Sequence, residues 1–362
     1  MSKTIRILSL PLLAGMLSAC FHNDDGGSGG VMTGRLTAAG VEGLHYETQS
    51  LSGTTGEDGE FRYRADETVT FSLGNIVLAK DVPAKEFLTP MEFTEKGRVA
   101  LQQSSSTTFG LSSHRPAEDY VVNNRPVTRN TTRLLMLLDQ DQVAGDQNNI
   151  RITERTIDQL NDALQTLGIE QIDFTMTDQA FESIEPPSVI EQLLEKICFF
   201  QPEDYRCGDI PTEQEIEEAR LKQDEAKAEE LQTKRDNILN SRRNPTAINA
   251  TKAEGFLQQD SLRIDAQLAR PFYLSPEKIT MEAGKPGPYT VKLLSVDHQT
   301  VNNLEAISLT PSVLEIESYS AATNSVSFSV IGNSGQTGEL MVNFQPEGTY
   351  RWFQKSLRVV LN

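Results

Sequence analysis

The chain has 362 residues, with 51 acidic against 33 basic side chains and a formal net charge of −18. An acidic balance of this size argues against nucleic acid and anionic lipid surfaces as partners. The length allows two or three domains.

Residues 1–19 have the layout of an export signal: Lys3 and Arg6 lead, and Leu8 to Leu17 form an apolar run too short to cross a bilayer as a helix. The run closes on Leu17-Ser18-Ala19-Cys20. This tetrad resembles the lipobox of bacterial lipoproteins. The resemblance implies cleavage before Cys20, palmitate-type acylation of its thiol and its new amine, and stable attachment to a membrane through the lipid. The plainer alternative is a secretory signal cut after Ala19. The following "FHNDDGGSGG" completes residues 20–30, which lack apolar area to bury and are expected to be a flexible tether. Phe21 stands at the second position after the signal, where enterobacterial sorting uses Asp for retention. By that resemblance the expected location is the outer membrane, facing either the periplasm or the exterior.

Residues 31–95 read as β. Asp58-Gly59 supplies a turn pair of the tight-hairpin type. After it, Phe61 and Tyr63 alternate with polar residues, as do Val69, Phe71 and Leu73, and upstream Leu44 and Tyr46 behave in the same way. Period-two alternation places one face of each strand in a core. The string "VEGLHYETQSLSGTTGEDGEFRYRADETVTFSLGNIVL" resembles the prealbumin-type β-sandwich of carboxypeptidase-regulatory-like domains. That resemblance implies a structural or binding module.

Residues 96–129 are polar, and "QQSSSTTFGLSSH" has no apolar period, so a loop region is expected there. Residues 130–210 read as a small helical domain. Asn130 is placed to cap "TTRLLMLLDQ"; Thr153 caps a helix carrying Ile157, Leu160, Leu164 and Leu167, which Gly168 stops; and Ser188 opens a third helix through Ile197. Cys198 and Cys207, separated by eight residues, are expected to pair in an oxidising compartment.

Residues 211–245 begin with Thr212 and Glu215 in capping-box spacing, carry acids early and bases late, and stop at Asn244-Pro245. One long charged helix of about 45 Å is expected. Its best heptad seam places Arg235 and Asp224 among the apolar positions, a poor coiled coil. It therefore reads as a solvated strut, with a partner-binding helix as the alternative. Residues 246–271 are taken as a connector.

Residues 272–362 return to short alternating strands ("GPYTVKLLSV", "NSVSFSVIG", "GELMVNFQ", "KSLRVVLN") separated by Gly, Asn and Pro turns. The segment resembles bacterial Ig-like domains, which implies a β-sandwich with the lone Trp352 in its core. The expected fold class is thus multidomain α+β: a small N-terminal β-sandwich, a helical middle with one long charged helix, and a C-terminal Ig-like sandwich.

Candidate chemistry is sparse. "LDQDQVAGDQNNIRITE" places Asp139, Asp141, Asp146 and Asn148 between two helices, an oxygen-rich loop of the sort calcium prefers. Its spacing is longer than an EF-hand and its turn glycine is displaced, so an acidic helix–helix connection is the other reading. Any calcium there would stabilise the fold, and no other cofactor is expected. The histidines at 22, 45, 114 and 298 are isolated in sequence, and Ser275-Pro276-Glu277-Lys278 matches SxxK ahead of a strand instead of at the start of a buried helix. No catalytic residue is assigned. The expectation is a non-enzymatic, adhesin-like envelope protein that binds a protein or glycan. The alternative is a periplasmic-side scaffold or assembly factor of a pilus or secretion apparatus, docking through the long helix.

Overall fold

The computed structural model describes residues 30–141, 149–285 and 287–362. The export signal, Cys20, nearly all of the tether, and Asp146 and Asn148 of the acidic loop lie outside the described residues.

The N-terminal strands are β1 (Met32–Leu36), β2 (Val41–Glu42), β3 (His45–Thr48), β4 (Ser52–Thr54), β5 (Glu60–Tyr63), β6 (Thr68–Leu73), β7 (Ile76–Pro83) and β8 (Phe87–Leu88). They form sheets of order β5-β1-β8 and β4-β3-β6-β7. Alternation works as expected: Phe61 and Tyr63 of β5, and Val69, Phe71 and Leu73 of β6, are all buried. Phe61 meets Phe71 edge to face at 5.2 Å. Gly34 in β1 makes room for this packing, because a Cβ there would sit 2.3 Å from the Phe61 ring and 2.6 Å from the Lys85 carbonyl. Gly59 does turn the chain, at φ 72°. It does not close a hairpin, however, because β5 pairs with β1 across the sheet and not with β4.

The middle of the chain holds α1 (Glu95–Leu101), β9 (Ser105–Ser106), β10 (Ser112–Ser113), α2 (Arg115–Asn124), α3 (Pro126–Leu137), β11 (Ile150–Arg151), α4 (Glu154–Leu167), α5 (Asp178–Glu182) and α6 (Val189–Leu194). The segment expected to be a polar loop therefore contains two helices, and only its central part is a short Ser-rich β-hairpin. Asn130 caps nothing. The helix begins at Pro126, and buried Asn130 instead donates to the carbonyls of Phe174 and Met176. The α4 expectation holds in detail, whereas α6 opens as expected but ends at Leu194, short of Ile197. Thr153 caps α4, Gly168 ends it at φ 67°, and Ser188 caps α6. A single hydrophobic core runs from Leu36 of β1 through Leu134–Leu138 of α3 and Leu160 of α4 to Leu257, with Tyr350 joining it. The N-terminal strands and these helices thus share one interior, and β11 adds itself in parallel to β2.

The expected long helix is two helices. α7 (Glu213–Leu221) and α8 (Glu225–Asn240) fold back on each other around Ile216, Ala219, Ala228 and Leu231. The break falls at Lys222-Gln223-Asp224, where Gln223 takes φ 61° and Asp224 caps the second helix. The poor apolar seam explains this: a hairpin buries those few residues against each other, whereas one straight helix would leave them wet. The expected connector is α9 (Ala250–Ala269), capped by Asn249.

The C-terminal strands β12 (Phe272–Ser275), β13 (Lys278–Met281), β14 (Tyr289–Ser295), β15 (Val301–Ser308), β16 (Leu314–Ser320), β17 (Ser325–Val330), β18 (Thr337–Pro346) and β19 (Phe353–Leu361) form two four-stranded sheets, β12-β14-β17-β16 and β13-β19-β18-β15. Their inner faces make a second core, with Phe272 against Phe344 at 4.9 Å. Trp352 is only half-buried and stands outside this core. The fold class is mixed α+β and multidomain.

Candidate functional site

The two cores meet where α2, α9 and the turn into β19 come together, and polar side chains fill the seam. His114 precedes α2, Glu118 lies one turn on, Ser261 and Asp265 share one face of α9, and Tyr350 and Arg351 lead into β19. Bonded partners among them lie up to 232 residues apart, so no local pattern announces them.

Arg351 is the hub. Only 3% exposed, its guanidinium lies 2.8 Å from Glu118 Oε1 and 2.7 Å from Asp265 Oδ1, and donates to Ser261 Oγ at 2.7 Å. Tyr350 and Ser261 donate to the two oxygens of Glu118, at 2.9 and 2.5 Å. Arg115 closes on Asp265 from the solvent side, and Lys85 holds buried Glu92 at 2.6 Å. Lys85, Arg115 and Arg351 thus face Glu92, Glu118 and Asp265, so the cluster is electrically balanced. Buried charges need this to persist.

The titration shifts follow. Burial opposes the charge on Arg351, but Tyr350, Glu118 and Asp265 more than offset it and raise its pKa. Burial pushes Asp265 up, and the His114 hydrogen bond with Arg351 beside it brings the carboxyl below its ordinary value. Burial drives the Tyr350 phenol well above its usual range. Asp260, the residue immediately before Ser261 on α9, is pushed up to about 6 by burial, although the N–H groups of Ala39 and Ala38 donate to it.

Both nitrogens of His114 are committed. The Trp352 N–H donates to Nδ1 at 2.9 Å, which leaves the proton on Nε2 to be donated to Asp265 at 3.1 Å. Ser261 gives its proton to Glu118. Within this cluster no base faces a free nucleophile, and the arrangement acts as a lock that fixes the sandwich on the helical body. A cleft of about 430 Å³ opens beside it, lined by Met32, Tyr63, Glu86, Leu268, Glu347 and Arg351 among others.

Of the residues singled out from sequence, Cys198 and Cys207 form a disulfide with Cα atoms 5.5 Å apart. The Gln159 side chain grips the backbone of Cys198 from α4, accepting from its N–H at 2.7 Å. Arg206 stacks on Phe200 at 3.5 Å inside the closed loop. Asp139 is buried, accepts the Arg151 N–H at 2.9 Å, and has its carboxyl raised to about 6, chiefly by burial. Asp141 lies close enough to contribute to that rise. Among the described residues no three His, Cys, Asp or Glu side chains are grouped to hold a metal, and no helix is long and apolar enough to cross a membrane. His114 was legible only as an isolated histidine. The single local hint was its i,i+4 relation to Glu118.

No protein-family model matches the sequence, and no curated protein matches it. Among solved structures, domains 1–6 of the surface layer protein SbsC align over 25% of this chain and 13% of that one, at 10% identity and a TM-score of 0.18. The chain therefore spans a small fraction of that protein's length.

Proposed function

We propose that this is a lipid-anchored envelope protein of the outer membrane that presents a binding surface and performs no catalysis. Cys20 carries the anchor, the tether gives it reach, and the C-terminal sandwich is the presented unit. The observation that supports this reading best is the buried lock at Arg351. A sandwich held to the body by balanced, desolvated ion pairs is a rigid arm, and rigid placement serves recognition by the β12-β14-β17-β16 sheet. That sheet exposes the cross-strand pair Tyr273 and Leu294, with Val296 beyond them. The alternative assembly role through a long helix loses its motivation, because α7 and α8 bury their few apolar residues against each other. Leu221 at the tip and Leu239 remain exposed, without a stripe to connect them.

The test has two parts. Cys20→Ser should move the protein from the membrane to the soluble fraction; retention at the membrane refutes the anchor. Protease added to intact cells, with a broken-cell control, should remove the sandwich; protection until the outer membrane is breached refutes surface display.

A further inference from the structure

A second groove lies between α1 and α2, away from the lock, with a volume of about 420 Å³. That is within the roughly 300–1,000 Å³ typical of small-molecule sites. α1 contributes Lys96, Val99 and Ala100, and Gln103 follows just past its end. Across from them stand Pro116, Ala117 and Tyr120 of α2, with Ser105 and Arg125 at the ends.

Three features of this groove point to a ligand. First, its lining holds two cations and no carboxylate, in a chain with 51 acidic residues against 33 basic. Among the described residues neither Lys96 nor Arg125 forms an ion pair. Asp119, the neighbour of Tyr120, faces a different cavity on the other side of α2. Second, the Nε of Arg125 is buried and has no hydrogen-bond partner. That atom is enclosed, so an acceptor in the groove would meet the guanidinium at its terminal nitrogens. Third, Val99 and Tyr120 are 58% and 48% exposed in a groove that would cover them, and the Arg125 guanidinium lies 5.6 Å over the Tyr120 ring. Cations at the rim and an aromatic–aliphatic floor together complement an anion with a compact apolar or ring body.

We propose that the α1–α2 groove binds a carboxylate carried on a ring or short apolar body, with Lys96 and Arg125 taking the charge and Val99 and Tyr120 the body. The carboxylate could come from a uronic-acid residue of a glycan or from a free organic acid. This inference goes beyond the display reading and does not depend on the anchor.

The test is calorimetric titration of the detergent-solubilised full chain with oligogalacturonate and with phenylacetate. Methyl-esterified oligogalacturonate and phenylacetamide serve as neutral counterparts. The acids should bind saturably and their neutral counterparts should not. Raising the salt should weaken binding. Lys96→Gln and Arg125→Gln should each reduce affinity about tenfold or more, the loss of one charge-assisted hydrogen bond, while Lys80→Gln outside the groove should leave it unchanged. Binding of the oligouronate alone identifies the glycan source; binding of phenylacetate, alone or as well, identifies the free acid. Arg125 precedes α3, so its variant is accompanied by a thermal melt, and the exposed Lys96 variant carries the test if Arg125→Gln misfolds. No saturable binding of either acid, equal binding of acid and neutral forms, or full affinity in folded Lys96→Gln would overturn the proposal.

Discussion

Replacing Arg351 with methionine tests the lock directly. The side chain is 3% exposed and bridges Glu118 and Asp265 at 2.8 and 2.7 Å. Methionine fills a similar volume and removes only the charge and the donors. Glu118 and Asp265 would then stay buried, with Arg115 and His114 as their remaining ionisable neighbours. Stranding buried partners in this way costs about 3–5 kcal/mol. For a chain of this size that corresponds to a fall in melting temperature of about 4–7 °C. Trp352 provides the assay, because its backbone N–H bonds to His114 and it adjoins Arg351. Its fluorescence during a melt follows the junction, while calorimetry follows the whole chain. In the wild type the two should coincide; in Arg351→Met the tryptophan signal should change first, as the sandwich loosens before either core melts. Adding Glu118→Gln should recover part of the loss, because one stranded charge is gone. A melting temperature within 2 °C of wild type, taken as an order-of-magnitude threshold, would refute the reasoning. So would losses that simply add in the double variant.

Asp260 makes stability depend on pH in a specific direction. Its folded pKa of about 6 lies above its ordinary value, so the unfolded chain ionises first as pH rises. This group therefore draws stability down between about pH 4 and 6, and the penalty is constant above that window. Subtracting the chemical-denaturation profile of Asp260→Asn from that of wild type should isolate this slope. Asparagine keeps the acceptor for Ala38 and Ala39, and the variant should be the more stable one at pH 7; a flat difference refutes the assignment. Cys198→Ser with Cys207→Ser should cost about 2–3 kcal/mol by reopening the loop, read as a lower urea midpoint and as early tryptic cleavage at Arg206; unchanged cleavage would show that Gln159, together with Arg155 of α4, which donates to the Phe200 carbonyl, holds the loop unaided.

The legible parts of this fold are those in which a local pattern and the tertiary outcome agree. The alternation of Phe61 with Tyr63 and of Val69, Phe71 and Leu73, the Thr153 cap with its Gly168 stop, and the Thr212–Glu215 capping box all specify conformation within a few residues. The misread parts are those in which polar residues face inward. α9 buries Ala253, Phe256, Leu257 and Ile264, but the same stripe also carries Asp260 and Ser261. Read by hydropathy, those two break the helical period. α3 likewise buries Thr128 through Arg133 ahead of its leucines, which hid its true start at Pro126. The lock was invisible for the same reason. Its members look like surface residues, and their partners lie on the far side of the chain. The α7–α8 break left a weaker mark, a sequence with too few apolar residues to sustain one long face.

The position of β1 determines how the protein answers mechanical force. Met32 through Arg35 pair with β5 on one side, and Arg35 and Leu36 pair with β8 on the other. The first strand of the described residues is therefore the middle strand of its sheet. A pull on the chain ahead of Met32, directed along the strand, loads the β1 hydrogen bonds together in shear, whereas an edge strand would peel away one bond at a time. The bond from the Leu36 N–H to Gly59 and that from the Thr37 N–H to Leu88 extend the loaded set beyond the strand itself. A molecule tugged from its N-terminus would have to slide this strand past both neighbours before the shared core opened.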